Sequence, residues 1–129
     1  MIELVLSRGG IQMRIIIGAL AVALLAGCSS VSDVRQTTPL LSVSSSNPPQ
    51  QVAECIRDGW QGIKVIGGTI GGTVQQTGKS FSVIATVDQP WHVADITPTS
   101  KGSAIQYHFY RSWQSPPSSV VDVVRSCAR

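Results

Sequence analysis

Apolar residues recur at two different spacings along residues 49–129, and these spacings predict the secondary structure. Four residues that follow Pro49 have the spacing of one helix face: Val52, Cys55, Ile56 and Trp60. Proline is favoured in the first turn of a helix, so we expect a helix that begins near Pro49. Gly59 and Gly62 are expected to bound this helix, and residues 63–66 to form a short strand.

Three β-like segments separated by turns occupy residues 81–113. Residues 81–87 are rich in β-branched side chains, residues 91–97 form a second candidate strand, and residues 103–113 show the clearest alternation. In that last segment, Ile105, Tyr107 and Phe109 alternate with Gln106, His108 and Tyr110. The turns predicted at residues 88–90 and 98–102 connect the three segments into an antiparallel meander.

A final helix is predicted after Ser115, which can cap it, and the two prolines that follow. Its apolar face carries four residues: Val120, Val123, Val124 and Cys127. The order helix, strands, helix indicates an α+β fold. We expect a small antiparallel sheet of three to four strands, with an N-terminal and a C-terminal helix on one face.

The longest apolar run lies near the N-terminus, at residues 15–26, and contains no charge. As a helix it would span roughly 18 Å, too little for a bilayer core about 30 Å thick. With Met13 and Arg14 before it, the run is typical of a signal peptide, predicted to occupy residues 1–27. A buried core helix is the alternative. Residues 1–12 do not fit the pattern, which favours a misassigned start, with Met13 as the initiator, over a genuinely long N-terminal region.

The run ends in Leu25-Ala26-Gly27-Cys28. These residues resemble the lipobox of bacterial lipoproteins at every position. The resemblance implies cleavage before Cys28, a diacylglyceryl group on its thiol and, in many bacteria, an acyl chain such as palmitate on its amino group. Two or more acyl chains give stable membrane anchoring. Ser29, by resemblance to sorting rules of enteric bacteria, implies the outer membrane, with the protein facing the periplasm.

The residues after Cys28 are rich in Ser, Thr and Pro as far as Gln50. We therefore expect residues 28–48 to form the lipidated cysteine and a flexible tether, and residues 49–129 to form one compact domain. An edge strand around Leu41 is the alternative.

Two cysteines remain, Cys55 and Cys127, one on the apolar stripe of each predicted helix. The compartment that the lipobox implies is oxidising, so we predict a disulfide that clamps the first helix to the last. Two separate buried thiols, or a metal-binding pair, are the alternatives.

Charge and motifs exclude several classes of function. A formal net charge of +3, without any block of like charge, does not favour nucleic acid. Gly78-Lys79-Ser80 lacks the earlier glycine of a P-loop, where Thr73 stands, so no nucleotide is expected. His92 and His108 are interpreted as strand residues, because no nucleophile motif accompanies them and two histidines are too few for zinc. We therefore expect no catalytic residue, metal or other cofactor.

The sequence thus favours a lipid-anchored, non-catalytic protein that binds or positions another envelope protein. Trp91 and Tyr110 are the candidate interaction residues. A periplasmic hydrolase that acts on the cell envelope, and a module that binds a small ligand or inhibitor, are the alternatives.

Overall fold

A computed structural model describes residues 30–87, 89–111 and 113–129 of the chain. Within these residues, three helices and seven strands follow one another in an α+β arrangement. In chain order they are α1 (Val31–Arg35), β1 (Leu41–Ser45), α2 (Pro49–Gln61), β2 (Lys64–Val65), β3 (Gly68–Thr69), β4 (Thr73–Thr77), β5 (Ser80–Thr86), β6 (Pro90–Thr99), β7 (Gly102–Phe109) and α3 (Ser118–Cys127).

Five of the strands form one antiparallel sheet in the order β1-β7-β6-β5-β4. The predicted meander is its centre, and the sheet is larger than the three to four strands expected from the sequence. β4 was not predicted because its residues are Thr, Val and Gln, which show little alternation of apolar and polar side chains. Nearly all of these side chains are exposed. β2 and β3 form a separate two-stranded hairpin.

Helices α2 and α3 pack on one face of the sheet, as predicted. Buried residues of both helices join a core with the inward residues of the sheet: Val52, Ala53, Ile56, Trp60, Val120, Val124 and Cys127. The indole Nε1 of Trp60 donates to the Val120 carbonyl at 3.1 Å. Gly62 ends α2 as expected, but Gly59 lies inside the helix. A side chain at Gly59 would run into Val123, so this glycine lets the two helices approach closely.

A disulfide joins Cys55 of α2 to Cys127 of α3, and their Cα atoms are 5.7 Å apart. This confirms the predicted clamp between the two helices. The bridge closes a loop with a sequence separation of 72 residues.

The described part of the predicted tether is ordered secondary structure. β1 pairs with β7, with Leu41 opposite Tyr107 and Ser45 opposite Ser103, which is the edge-strand alternative. The tether prediction is therefore corrected for residues 30–48, and the folded unit begins before residue 49. The serine-rich composition of this strand suggested a flexible tether. Leu41 is nevertheless buried in the core, and the hydrogen bonds to β7 come from the backbone, whatever the side chains are.

The opposite face of the sheet carries α1, which the sequence did not predict. Ser30 caps this helix, and its hydroxyl accepts from the Asp33 amide. Val34 packs against Ile84 and Val93 in a second, smaller core.

The turn between β6 and β7 requires Gly102, whose φ is +143°. A Cβ atom there would collide with the backbone of Ser45 and Ser46, so only glycine lets the edge strand β1 pass this close.

Candidate functional site

The main cavity is a groove at one end of the five-stranded sheet, where β5 ends, β6 begins and β7 ends. Its volume is about 670 Å³, within the range of ligand pockets. One wall is the β2–β3 hairpin with the residue that follows it, and the other is the loop before α3. The groove is lined by Val65, Ile66, Ile70, Val87, Trp91, His92, Phe109, Tyr110, Arg111, Gln114, Ser115, Pro116 and Pro117.

His92 forms part of the floor and is 1% exposed. Its ring stacks on Phe109 with centroids 5.2 Å apart, and a hydrogen bond of 2.7 Å joins its Nδ1 to the hydroxyl of Tyr107. Burial lowers the pKa of His92 from 6.5 to about 4 and raises the pKa of Tyr107. Both rings are therefore neutral near pH 7, so the floor of the groove is aromatic and uncharged.

Trp91 and Tyr110 are half-buried and lie side by side in the groove. Their rings stack with centroids 4.9 Å apart and an interplanar angle of 14°, because the Tyr110 amide donates to the Trp91 carbonyl and extends the pairing of β6 with β7. The structure thus brings together the two residues that the sequence nominated for interaction. A role in binding remains a prediction.

Arg111 is the only charged residue that lines the groove among the described residues. Its guanidinium lies 4.7 Å from the centre of the Tyr110 ring and 5.2 Å from that of Trp113. A hydrogen bond also holds the guanidinium in place, since Nη1 of Arg111 donates to the side-chain oxygen of Gln114 at 3.0 Å. The site therefore offers one oriented cation beside a mainly apolar surface.

Large apolar side chains stand exposed around this groove. In the described chain, five large hydrophobic residues are exposed, and Val65, Ile66 and Val87 line the groove. Trp113, which is 78% exposed, stands beside it in contact with Arg111. The fifth is Leu40. Such clustering, unlike scattered apolar residues, is typical of interaction surfaces.

The histidines do not form a catalytic arrangement with any described carboxylate. Nδ1 of His108 donates to the Thr37 carbonyl at 2.9 Å, on the opposite face of the sheet from His92. His92, with a pKa of about 4 and Nδ1 bonded to Tyr107, is a weak base. Within the described ranges, no group of three or more His, Cys, Asp or Glu residues could hold a metal ion.

Sequence reasoning missed most of the groove wall, Ile66, Ile70 and Arg111 above all. The sequence predicted no strand in residues 67–80, and Arg111 was placed inside a strand that ends at Phe109. The position of Ile66 directly before two glycines is the one local signal that could have indicated an exposed apolar turn.

The other predicted positions lie elsewhere. Cys55 and Cys127 do not line the groove, and Cys28, the predicted lipidation site, lies outside the described residues. In the part of the chain that the structure describes, no helix is long and apolar enough to cross a membrane.

Comparison with protein-family models, with curated proteins and with solved structures gives no match to this chain.

Proposed function

We propose that this chain is a lipoprotein of the bacterial cell envelope, anchored to the outer membrane through Cys28. Its domain holds an apolar segment of another envelope protein in the groove and catalyses no reaction. The anchor is supported by the uncharged apolar run that ends in Leu25-Ala26-Gly27-Cys28.

The groove is the single observation that carries the binding role. It combines an uncharged aromatic floor with exposed aliphatic side chains at Val65, Ile66 and Val87. Leaving these side chains in water is unfavourable, and a partner that covers them gains roughly 25 cal/mol per Å² of buried apolar surface.

The chemistry of the lining restricts the partner segment. Apolar side chains would occupy the floor over Phe109 and Ile70, and an acidic group would pair with Arg111, the one described cation of the lining. Stacked aromatic rings such as Trp91 and Tyr110 offer a large rigid contact area with little entropy to lose. A short apolar stretch that includes an aspartate or glutamate fits these requirements.

Site-specific photo-crosslinking in living cells tests the proposal. A photoreactive residue at Gln114, an exposed position in the groove, should give one discrete adduct with an envelope protein. The matched control is Lys101, an exposed residue in the turn at the other end of the sheet, which should give none.

Ile66→Asp provides the second arm of the test. Ile66 is fully exposed, so the substitution should abolish the Gln114 adduct and leave the unfolding midpoint unchanged. An adduct that persists in this variant, or that also forms from Lys101, would refute the groove as the binding site. An adduct with lipid or with a small molecule instead of protein would favour the ligand-binding alternative.

A further inference from the structure

Helix α1 is fastened to the domain, although it begins only three residues after Cys28. Nε of Arg35 donates to both carboxylate oxygens of Asp95, at 3.2 and 3.0 Å, and Nη2 reaches the Ser82 hydroxyl at 2.8 Å. Val34 is 1% exposed in the second core. The chain is therefore held against the sheet from its first described turn.

The position of α1 over the sheet follows from these contacts. The Arg35 side chain reaches Asp95, which is halfway along β6 and opposite Gln106 of β7. Val31 packs against the small core of Val34, Ile84 and Val93, which Tyr110 also contacts. These contacts lie between the middle of β6 and the groove, so Ser30 leaves the domain from the half of the sheet nearer the groove.

The length of chain between Ser30 and Cys28 is short. Two peptide units join their Cα atoms, which are therefore at most about 7 Å apart when the chain is fully extended. A lipid on Cys28 would hold the groove half of the domain close to the bilayer surface, and the far end of the ten-residue strand β6 would lie farther from it.

Exposed side chains at this end have the composition of a membrane-interface anchor. Trp113 is 78% exposed, and the guanidinium of Arg111 lies over its ring. Tryptophan prefers the headgroup region of a bilayer, and a cation is attracted to anionic headgroups.

We infer that the groove end is the membrane-facing surface of this domain, with Trp113, which stands beside the groove, inserted into the interface of an anionic phospholipid bilayer. This inference rests on the proposed lipid anchor. It deepens the proposed function because a groove that opens at the bilayer surface receives a partner segment that lies next to the membrane.

Tryptophan fluorescence of the lipidated protein in vesicles tests this orientation. The protein is purified from membranes of bacteria that express the full chain and is reconstituted into phosphatidylethanolamine–phosphatidylglycerol vesicles with brominated acyl chains. The difference between the parent and W113F isolates Trp113, since Trp60 is buried in the core. We expect the lipid bromines to quench most of this emission and aqueous iodide to quench little of it.

The double variant W113F/K101W is the matched control, because it moves the exposed indole to the turn at the other end of the sheet. Its added emission should be quenched by iodide and spared by bromine. Bromine-insensitive, iodide-quenched emission of Trp113 from vesicle-bound protein would overturn the orientation and leave the anchor intact. Mass spectrometry that finds no acyl chain on Cys28 would instead overturn the proposed lipoprotein.

Discussion

Acidification should destabilise the fold through His92, whose ring is enclosed by Trp60, Tyr107 and Phe109. Burial lowers the pKa of this histidine to about 4 in the folded protein, whereas the unfolded chain titrates near 6.5. The unfolded state therefore binds the proton first as the pH falls. The contribution of His92 is complete above about pH 6.5 and is lost progressively as the pH falls through about 4.

The size of this effect follows from the displacement of the pKa from 6.5 to about 4. At about 1.4 kcal/mol per pKa unit, the free energy of unfolding should fall by about 3 kcal/mol across the window. About 2 kcal/mol of this is lost by pH 5. Because small domains are stable by only about 5–15 kcal/mol, this loss is readily measured.

Urea unfolding followed by far-UV circular dichroism at pH 7.5 and pH 5 measures this loss. The comparison is with His92→Gln, which cannot titrate. Other groups that titrate in this range act on both proteins, so the parent should lose about 2 kcal/mol more than the variant between the two pH values. If both proteins lose the same free energy, His92 does not carry the pH dependence and the reasoning is refuted.

Two further predictions concern stability. Replacing both Cys55 and Cys127 by alanine should lower the free energy of unfolding by about 4 kcal/mol, because the bridge closes a loop with a separation of 72 residues. Urea unfolding of the oxidised parent and of the double variant measures this difference. A loss under about 1 kcal/mol would contradict the prediction. Gly102→Ala should cost at least about 1–3 kcal/mol in backbone strain and also push β1 away, since φ is +143° and the new Cβ would strike Ser45. Gly78→Ala, in an open turn with φ +61°, is the matched control in thermal melts, and an equal loss in both variants would argue against the close approach of β1.

Elements that bury a regular apolar stripe were predictable from the sequence. The spacing of Val52, Ile56 and Trp60 gave α2 its correct start at Pro49. The same reasoning placed Cys55 and Cys127 on the apolar stripes of the two helices, so the pairing followed from two amphipathic patterns and from the oxidising compartment that the lipobox implies.

The two edge strands could not be predicted in this way, because pairing with a neighbour holds an edge strand even where few of its side chains are buried. In β1 the apolar residues are Leu41 and Val43, and serines occupy the other positions. β4 is almost entirely exposed. Neither strand has the hydrophobic alternation that identifies a half-buried strand.

The candidate site was only partly predictable because it depends on register and on the path of loops. Trp91 and Tyr110 were nominated as aromatic residues in strand patterns, but their stacking depends on the register in which His92 lies opposite Phe109. Ile70 and Pro117 reach the same groove from segments far apart in the chain. The periodicity of a sequence does not show which residues from distant segments come into contact.

Pairing of the first strand with the last has a consequence for how the chain matures. β1 bonds to β7, with Leu41 opposite Tyr107, and the Asn47 side chain donates to the backbone carbonyl of Arg129 at 2.9 Å. Neither contact can form until β7 has been synthesised, and contacts between segments so far apart in the chain slow folding. This edge of the sheet therefore closes only after most of residues 30–129 are available, so folding of the sheet during synthesis is disfavoured.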